Sequence, residues 1–295
     1  MKVYILVITI FFSLIFLNHT FATIKVVTTL PDLADFTKAI GNDRVEVDFI
    51  VKGTQNPHYI EVKPSYMMKL RNADIFLQIG MELELWAQQI IDGSRNNRLI
   101  VVDCSNNIEK LEIPSDVDAS QGDIHRYGNP HYWLDPMNVK IIMQNILNAL
   151  IKVSPEEETY FKSNMDNYLS ELNINITNWL KELEPFKNSN VITFHKSWTY
   201  FAKRFGLNVI DYIEPRPGIT PTPSHTLKLL KLIKENNIKV IIVEPFYDDS
   251  VPKHIAAAAN AKVIRLATSV GGVPRTDTYI SLIDYNVKML KENLK

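Results

Sequence analysis

Ser154-Pro155-Glu156-Glu157-Glu158 opens the stretch on which the fold turns. Behind it Tyr160, Phe161, Met165, Tyr168, Leu169, Leu172, Ile176, Trp179 and Leu180 recur at helical spacing through Glu182. Proline at the first helical position, followed by acidic residues in the first turn, is a strong helix start. The run exceeds the usual globular helix and does not keep the strict heptad of a coiled coil. A single long helix bridging two domains accounts for both properties.

On either side of that helix, strand patterns alternate with helix patterns. Before it, strands are expected at 24–29, 45–51, 74–79 and 99–102. Helices are expected at 31–40, 64–73 and 83–91, and from Pro136 to Val153. After Pro185 the alternation restarts, with strands at 191–194, 207–212, 238–243 and 263–266 and helices at 198–204, 224–235, 250–260 and 278–294. Strands alternating with helices predict parallel sheets. The expected fold is therefore α/β, with an N-terminal lobe over 23–153, a connecting helix over 154–186 and a C-terminal lobe over 187–295. Residues 105–128 carry no clear periodicity and read as a loop. The long helix suggests a stiff link and limited lobe motion.

Residues 1–22 stand apart. Lys2 precedes an apolar run from Val3 to Leu17, and Thr20-Phe21-Ala22 supplies a small-residue end. This is the pattern of a secretory signal peptide, and the run is short for a bilayer span of about 20 apolar residues. Cleavage after Ala22 is expected, giving a soluble, exported, periplasmic protein. No Cys sits at the cleavage point for lipid attachment; the sole Cys, Cys104, cannot form an internal disulfide and reads as buried and inert. With 32 basic against 33 acidic side chains, the charge balance argues against nucleic acid or an anionic membrane surface as partner.

The chemistry-bearing residues are the histidines. Asn56-Pro57-His58-Tyr59 is echoed by Asn129-Pro130-His131-Tyr132-Trp133-Leu134-Asp135-Pro136, and His195 sits in Phe194-His195-Lys196-Ser197-Trp198 at a strand-to-helix turn. In the two repeated words, proline restricts the backbone on both sides and presents the imidazole from a stiff loop. Taken singly, each His reads most simply as structural or exposed, and His225 and His254, within helices, keep that reading. His58, His131 and His195, placed at equivalent strand-end positions in two lobes, would converge in the cleft between them. Three imidazoles suit zinc. Neutral imidazoles must capture it, so affinity is expected to fall between pH 7.5 and 5.5.

These words, with Lys63-Pro64-Ser65 and Thr199-Tyr200-Phe201, resemble the metal-binding solute-binding proteins of zinc and manganese ABC transporters (the cluster A-I type) over essentially the whole mature chain. The resemblance implies two lobes, one rigid helix and one transition-metal ion held by His58, His131 and His195. It implies zinc as the transported ligand rather than manganese, an ABC permease as partner, no enzymatic activity and a monomer. Many such proteins add a fourth ligand, an Asp, after a late strand; here Thr268 occupies that position, leaving water or Glu244 as alternatives. For Glu244 a structural hydrogen bond is the favoured reading. The His-rich loop of zinc-type members is reduced to Asp116, Asp118, Asp123 and His125, which argues against loop-assisted shuttling. Asp135 reads as a helix cap, and Trp133 and Trp198 as packing beside the site. The competing reading is an exported zinc hydrolase using a three-His zinc-water site. It lacks a His-Glu-x-x-His word, and no general base stands out beside the His words.

Overall fold

The computed structural model describes residues 23–115, 125–216 and 218–295. The expected leader, residues 1–22, and the loop acids Asp116, Asp118 and Asp123 lie outside the described residues.

The first half contains strands β1 (Ile24–Thr28), β2 (Val45–Phe49), β3 (Ile75–Gln78) and β4 (Ile100–Asp103), with helices α1 (Pro31–Gly41), α2 (Pro64–Arg71), α3 (Ala87–Ser94) and α4 (Val139–Val153). Helix α5 (Glu158–Leu183) follows. The second half contains β5 (Asn190–Thr193), α6 (Thr199–Phe205), β6 (Asn208–Tyr212), α7 (Pro223–Glu235), β7 (Val240–Val243), α8 (Ser250–Ala259), β8 (Lys262–Arg265) and α9 (Tyr279–Asn293). Each half forms one four-stranded sheet, in the order β2-β1-β3-β4 and β6-β5-β7-β8, and every pairing is parallel. The two sheets thus share one topology, in which the strand order reverses beside the first strand. In open parallel sheets that reversal opens a crevice at the C-terminal strand ends, where ligands bind.

The second sheet is buried on both faces, as parallel sheets are. Along β7, Val240 and Ile242 face one apolar cluster and Ile241 and Val243 face another, the period-two alternation of a strand. The larger cluster runs from Ile24 to Leu294 and so passes through both halves. Helix α5 carries much of that continuity. Its 26 residues span ~39 Å, and Phe161, Met165, Leu172, Ile176, Trp179 and Leu183 line a buried stripe against α1, α4 and α9. As expected, Cys104 is fully buried, and burial pushes its thiol well above the usual range.

The expected helix from Leu83 begins instead at Ala87. Gly80, Met81 and Glu82 all have positive φ (82°, 53° and 64°), a conformation that no right-handed helix can continue. That turn places the Glu84 carboxylate to accept from Thr29 Oγ1 (2.6 Å), Ile79 N (2.7 Å) and Gly80 N (3.0 Å), satisfying the frayed ends of β1 and β3.

Polar contacts join the halves. The Asp135 carboxylate accepts from Arg204 through both oxygens (2.7 and 3.0 Å) and caps the turn after Pro136 through Met137 N (2.9 Å). Tyr279 Oη donates to Trp133 O (2.6 Å), and Trp133 Nε1 donates to Thr268 O (2.8 Å). A Cβ at Gly53 would lie 2.1 Å from Val270 O, so only glycine permits this loop to approach the second half. Asp32, fully buried at the start of α1, accepts from Ser269 Oγ and from Val270 N.

Burial pushes the Asp32 carboxyl up to about 7 against the lowering pull of these two donors. The unfolded chain ionises it near pH 3.9. The stability it contributes is therefore fully present below that value and is lost as pH rises through about 7. Asp32→Asn keeps the shape without the charge. Relative to the parent it should gain stability from pH 5 to pH 8, by up to about 3 kcal/mol at ~1.4 kcal/mol per tenfold in proton affinity. Urea unfolding at both pH values measures this, and parallel pH profiles for parent and variant would contradict it.

Candidate metal centre

Only one of the three expected ligands directly follows its strand. His195 lies two positions beyond β5, whereas β2 ends at Phe49 and β4 at Asp103, so long loops carry His58 and His131. Equivalent strand-end placement is thus corrected to a shared crevice reached by unequal loops. Convergence does not need equivalence: each loop is stiffened by its Pro and tied down separately. Trp86 Nε1 donates to Pro57 O (2.8 Å), and Tyr132 Oη donates to Ile79 O (2.7 Å).

The three imidazoles come together. They are buried, one ring nitrogen from each lies within 4.8 Å of the others, and the His58 and His131 Nε2 atoms are 3.3 Å apart. Ring centroids are separated by 5.2 Å (His58–His131), 5.3 Å (His58–His195) and 5.5 Å (His131–His195). In a tetrahedron with zinc–nitrogen bonds of about 2.0–2.1 Å, ligand nitrogens stand ~3.3–3.4 Å apart. The His58–His131 distance is already such an edge.

The surrounding groups fix which nitrogen faces the centre. Asn129 Oδ1 accepts from the backbone N–H of His131 (3.0 Å), so the ring Nδ1 beside the same oxygen (2.9 Å) must be the protonated one. His195 Nδ1 lies 2.8 Å from Glu214 Oε2, which can only accept. Both rings therefore hold their proton on Nδ1 and turn the Nε2 lone pair inward, the tautomer a metal requires. Burial, then repulsion from the neighbouring imidazoles His58, His195 and His125, pushes His131 well below the ordinary imidazole range. A ring that resists protonation stays a competent ligand in mild acid.

The remaining site expectations divide. Glu244 is fully buried and is not among the residues whose ligand atoms meet: its Oε1 accepts from Trp198 Nε1 (3.0 Å), its Oε2 has no hydrogen-bond partner among the described residues, and burial pushes its carboxyl up to about 7. The Oε1 bond matches the structural reading, and the unpartnered Oε2 keeps Glu244 beside water as an alternative for the fourth position. Thr268 is buried beside Trp133 and offers no carboxylate. Trp133 packs 5.3 Å from the His131 ring, beside the site as expected. His225 is engaged elsewhere, with Nε2 2.8 Å from Tyr212 O, and His254 is exposed.

Two participants were not foreseen. His125 stacks on His58 with centroids 5.0 Å apart, and Arg126 beside it is clamped to Glu82 through three hydrogen bonds of 2.6–2.9 Å. Glu214 follows β6 in Tyr212-Ile213-Glu214-Pro215, a strand-end acid like Glu244, and that position was the signal available. Glu214→Gln keeps an acceptor for His195 but removes the charge that strengthens its basicity. Zinc affinity should fall about 10–100-fold, the usual cost of losing such a partner. Chelator competition measures this, and an unchanged affinity would contradict it.

A model of the family described as ZnuA, zinc-uptake complex component A periplasmic, matches residues 26–293. The chain is 25% identical over 280 residues to the high-affinity zinc uptake system protein ZnuA of Bacillus subtilis (strain 168), covering 92% of this chain and 88% of that protein. It is 25% identical over 261 residues to the zinc-binding protein AdcA of Streptococcus pyogenes serotype M3 (strain MGAS315), covering 84% of this chain. The match takes in 51% of that relative, so the chain spans about half the length of AdcA. Among solved structures, a zinc-bound ZnuA deletion mutant lacking 138–173 superposes with a TM-score of 0.81 at 26% identity, over 92% of this chain and 98% of the other.

Proposed function

The chain belongs to the family of periplasmic zinc-uptake complex component A proteins, and on that premise we propose that it captures zinc outside the cytoplasmic membrane and hands it to the permease of an ABC transporter. His58, His131 and His195 are the ligands in this reading. The observation that carries it is the inward convergence of three buried imidazoles, two of them locked by Asn129 and Glu214 in the metal-binding tautomer.

Capture then proceeds without bond chemistry. Zinc exchanges its waters for three preset nitrogens, and a water or other small ligand completes four-coordination. Manganese is disfavoured because it suits oxygen-rich, six-coordinate sites. The protein acts as a monomer, with lobes over 23–153 and 187–295 joined by 154–186. Residues 1–22 are a leader removed after Ala22. Among the described residues no helix is long and apolar enough to cross a membrane.

The test pairs metal analysis of protein purified from its native export compartment with competition titration of zinc against manganese. Zinc in near-stoichiometric amount and a strong preference for it are expected. Zinc-dependent turnover of an ester substrate would overturn the reading in favour of a hydrolase.

A further inference from the structure

The two Asn-Pro-His words share a construction that goes beyond delivering an imidazole. In each, the Asn Oδ1 accepts from the backbone N–H of the following His, at 3.0 Å in both cases. That closes a turn across a proline whose φ is already fixed. In each, the Asn Nδ2 reaches the second half of the molecule. Asn56 Nδ2 donates to Tyr247 Oη (3.3 Å). Asn129 Nδ2 donates to Lys196 O (2.8 Å) and Thr199 Oγ1 (3.1 Å), and also to Glu112 Oε2 (2.9 Å). The cross-cleft partners are the immediate surroundings of His195. Lys196 follows it in the chain, and the Tyr247 ring lies 6.0 Å from its ring.

We propose that Asn56 and Asn129 are positioning residues, paired staples that hold His58 and His131 at a set distance from His195 and so favour a small four-coordinate ion over a six-coordinate one. This rests on the metal-capture reading. The physical reason is rigidity at both ends of each amide. Moving either imidazole away from His195 to admit an ion with longer bonds or more ligands stretches the Nδ2 contacts, while the Oδ1 contact keeps the His from adjusting independently. Two words of the first half, gripping two points around one residue of the second, resist translation and twist together.

Two substitutions separate this from general stability. Tyr247→Phe removes one hydroxyl and leaves the ring stacked on Phe194 at 4.3 Å. Thr199→Ala removes one of the two cross-cleft acceptors of Asn129 and leaves the Asn129 amide and His131 unaltered. With full-length protein, zinc and manganese affinities are measured by competition. Cobalt(II) serves as the geometry probe, since its visible absorption is strong in four-coordinate and weak in six-coordinate surroundings. Each variant should lose about 10–100-fold in zinc affinity and less in manganese affinity, with a weakened cobalt band. If the zinc-to-manganese ratio and the cobalt band match the parent, the staples are overturned, even where the melting temperature falls. Should Thr199→Ala fail to fold, Tyr247→Phe decides alone. A parent that binds neither zinc nor cobalt overturns the capture reading and this proposal together, whereas a parent that binds and variants that match it overturn the staples only.

Discussion

Replacing His131 by Ala should lower zinc affinity by more than about 100-fold, the upper end of what losing an outer-shell partner costs. In free energy this exceeds about 2.7 kcal/mol. His131 is the middle member of the cluster: its Nε2 makes the 3.3 Å edge with His58, and its ring sits 5.5 Å from that of His195. Alanine removes one of three nitrogens and leaves Asn129 Oδ1 with the backbone N–H alone. His254→Ala, on the exposed face of α8, should leave affinity unchanged. Titration of both variants against a chromophoric chelator makes the comparison, and equal effects would overturn the assignment.

The second large effect is on pH. Three imidazoles protonating together would release three protons on zinc binding, and log affinity would then change by three per pH unit. Burial and the neighbouring rings hold His131 well below the ordinary imidazole range. Its folded value is depressed, so it is already neutral near pH 6.5 and competes for a proton only in stronger acid. Between pH 7.5 and 5.5 zinc affinity should therefore fall by no more than about 100-fold per pH unit, a two-proton limit, and steepen below that window. Calorimetry in buffers of different ionisation enthalpy counts the protons directly. A three-proton slope in this window would contradict the environment described for His131. Affinity that rises with acid would contradict capture by imidazole.

The legible parts of the fold were those with local periodicity. The stripe from Phe161 to Trp179 marked α5, and the alternation of strand and helix patterns marked two parallel sheets. The shared strand order was not legible, because pairing β1 beside β3 is a contact between segments with no local signature. Leu83 misled for a stated reason: its apolar spacing is helical, but three consecutive left-handed residues before it delay the helix to Ala87. At the site, His58 and His131 were legible as candidates from the proline-stiffened words that carry them, and His195 from its strand-to-helix turn. Asn56 and Asn129 were in plain view in those words, yet their reach across the cleft depends on tertiary placement. His125 lay in a stretch without periodicity, where nothing local places a ring. Glu214 could have been found by applying to β6 the strand-end reasoning that singled out Glu244 after β7.

The measurement that tests the account most directly is X-ray absorption at the zinc edge of the zinc-loaded protein. Three imidazole nitrogens at about 2.0–2.1 Å with one further light ligand are predicted, falling to two imidazoles in His195→Ala. A six-coordinate, oxygen-dominated shell in the parent, or a spectrum unchanged by His195→Ala, would contradict it.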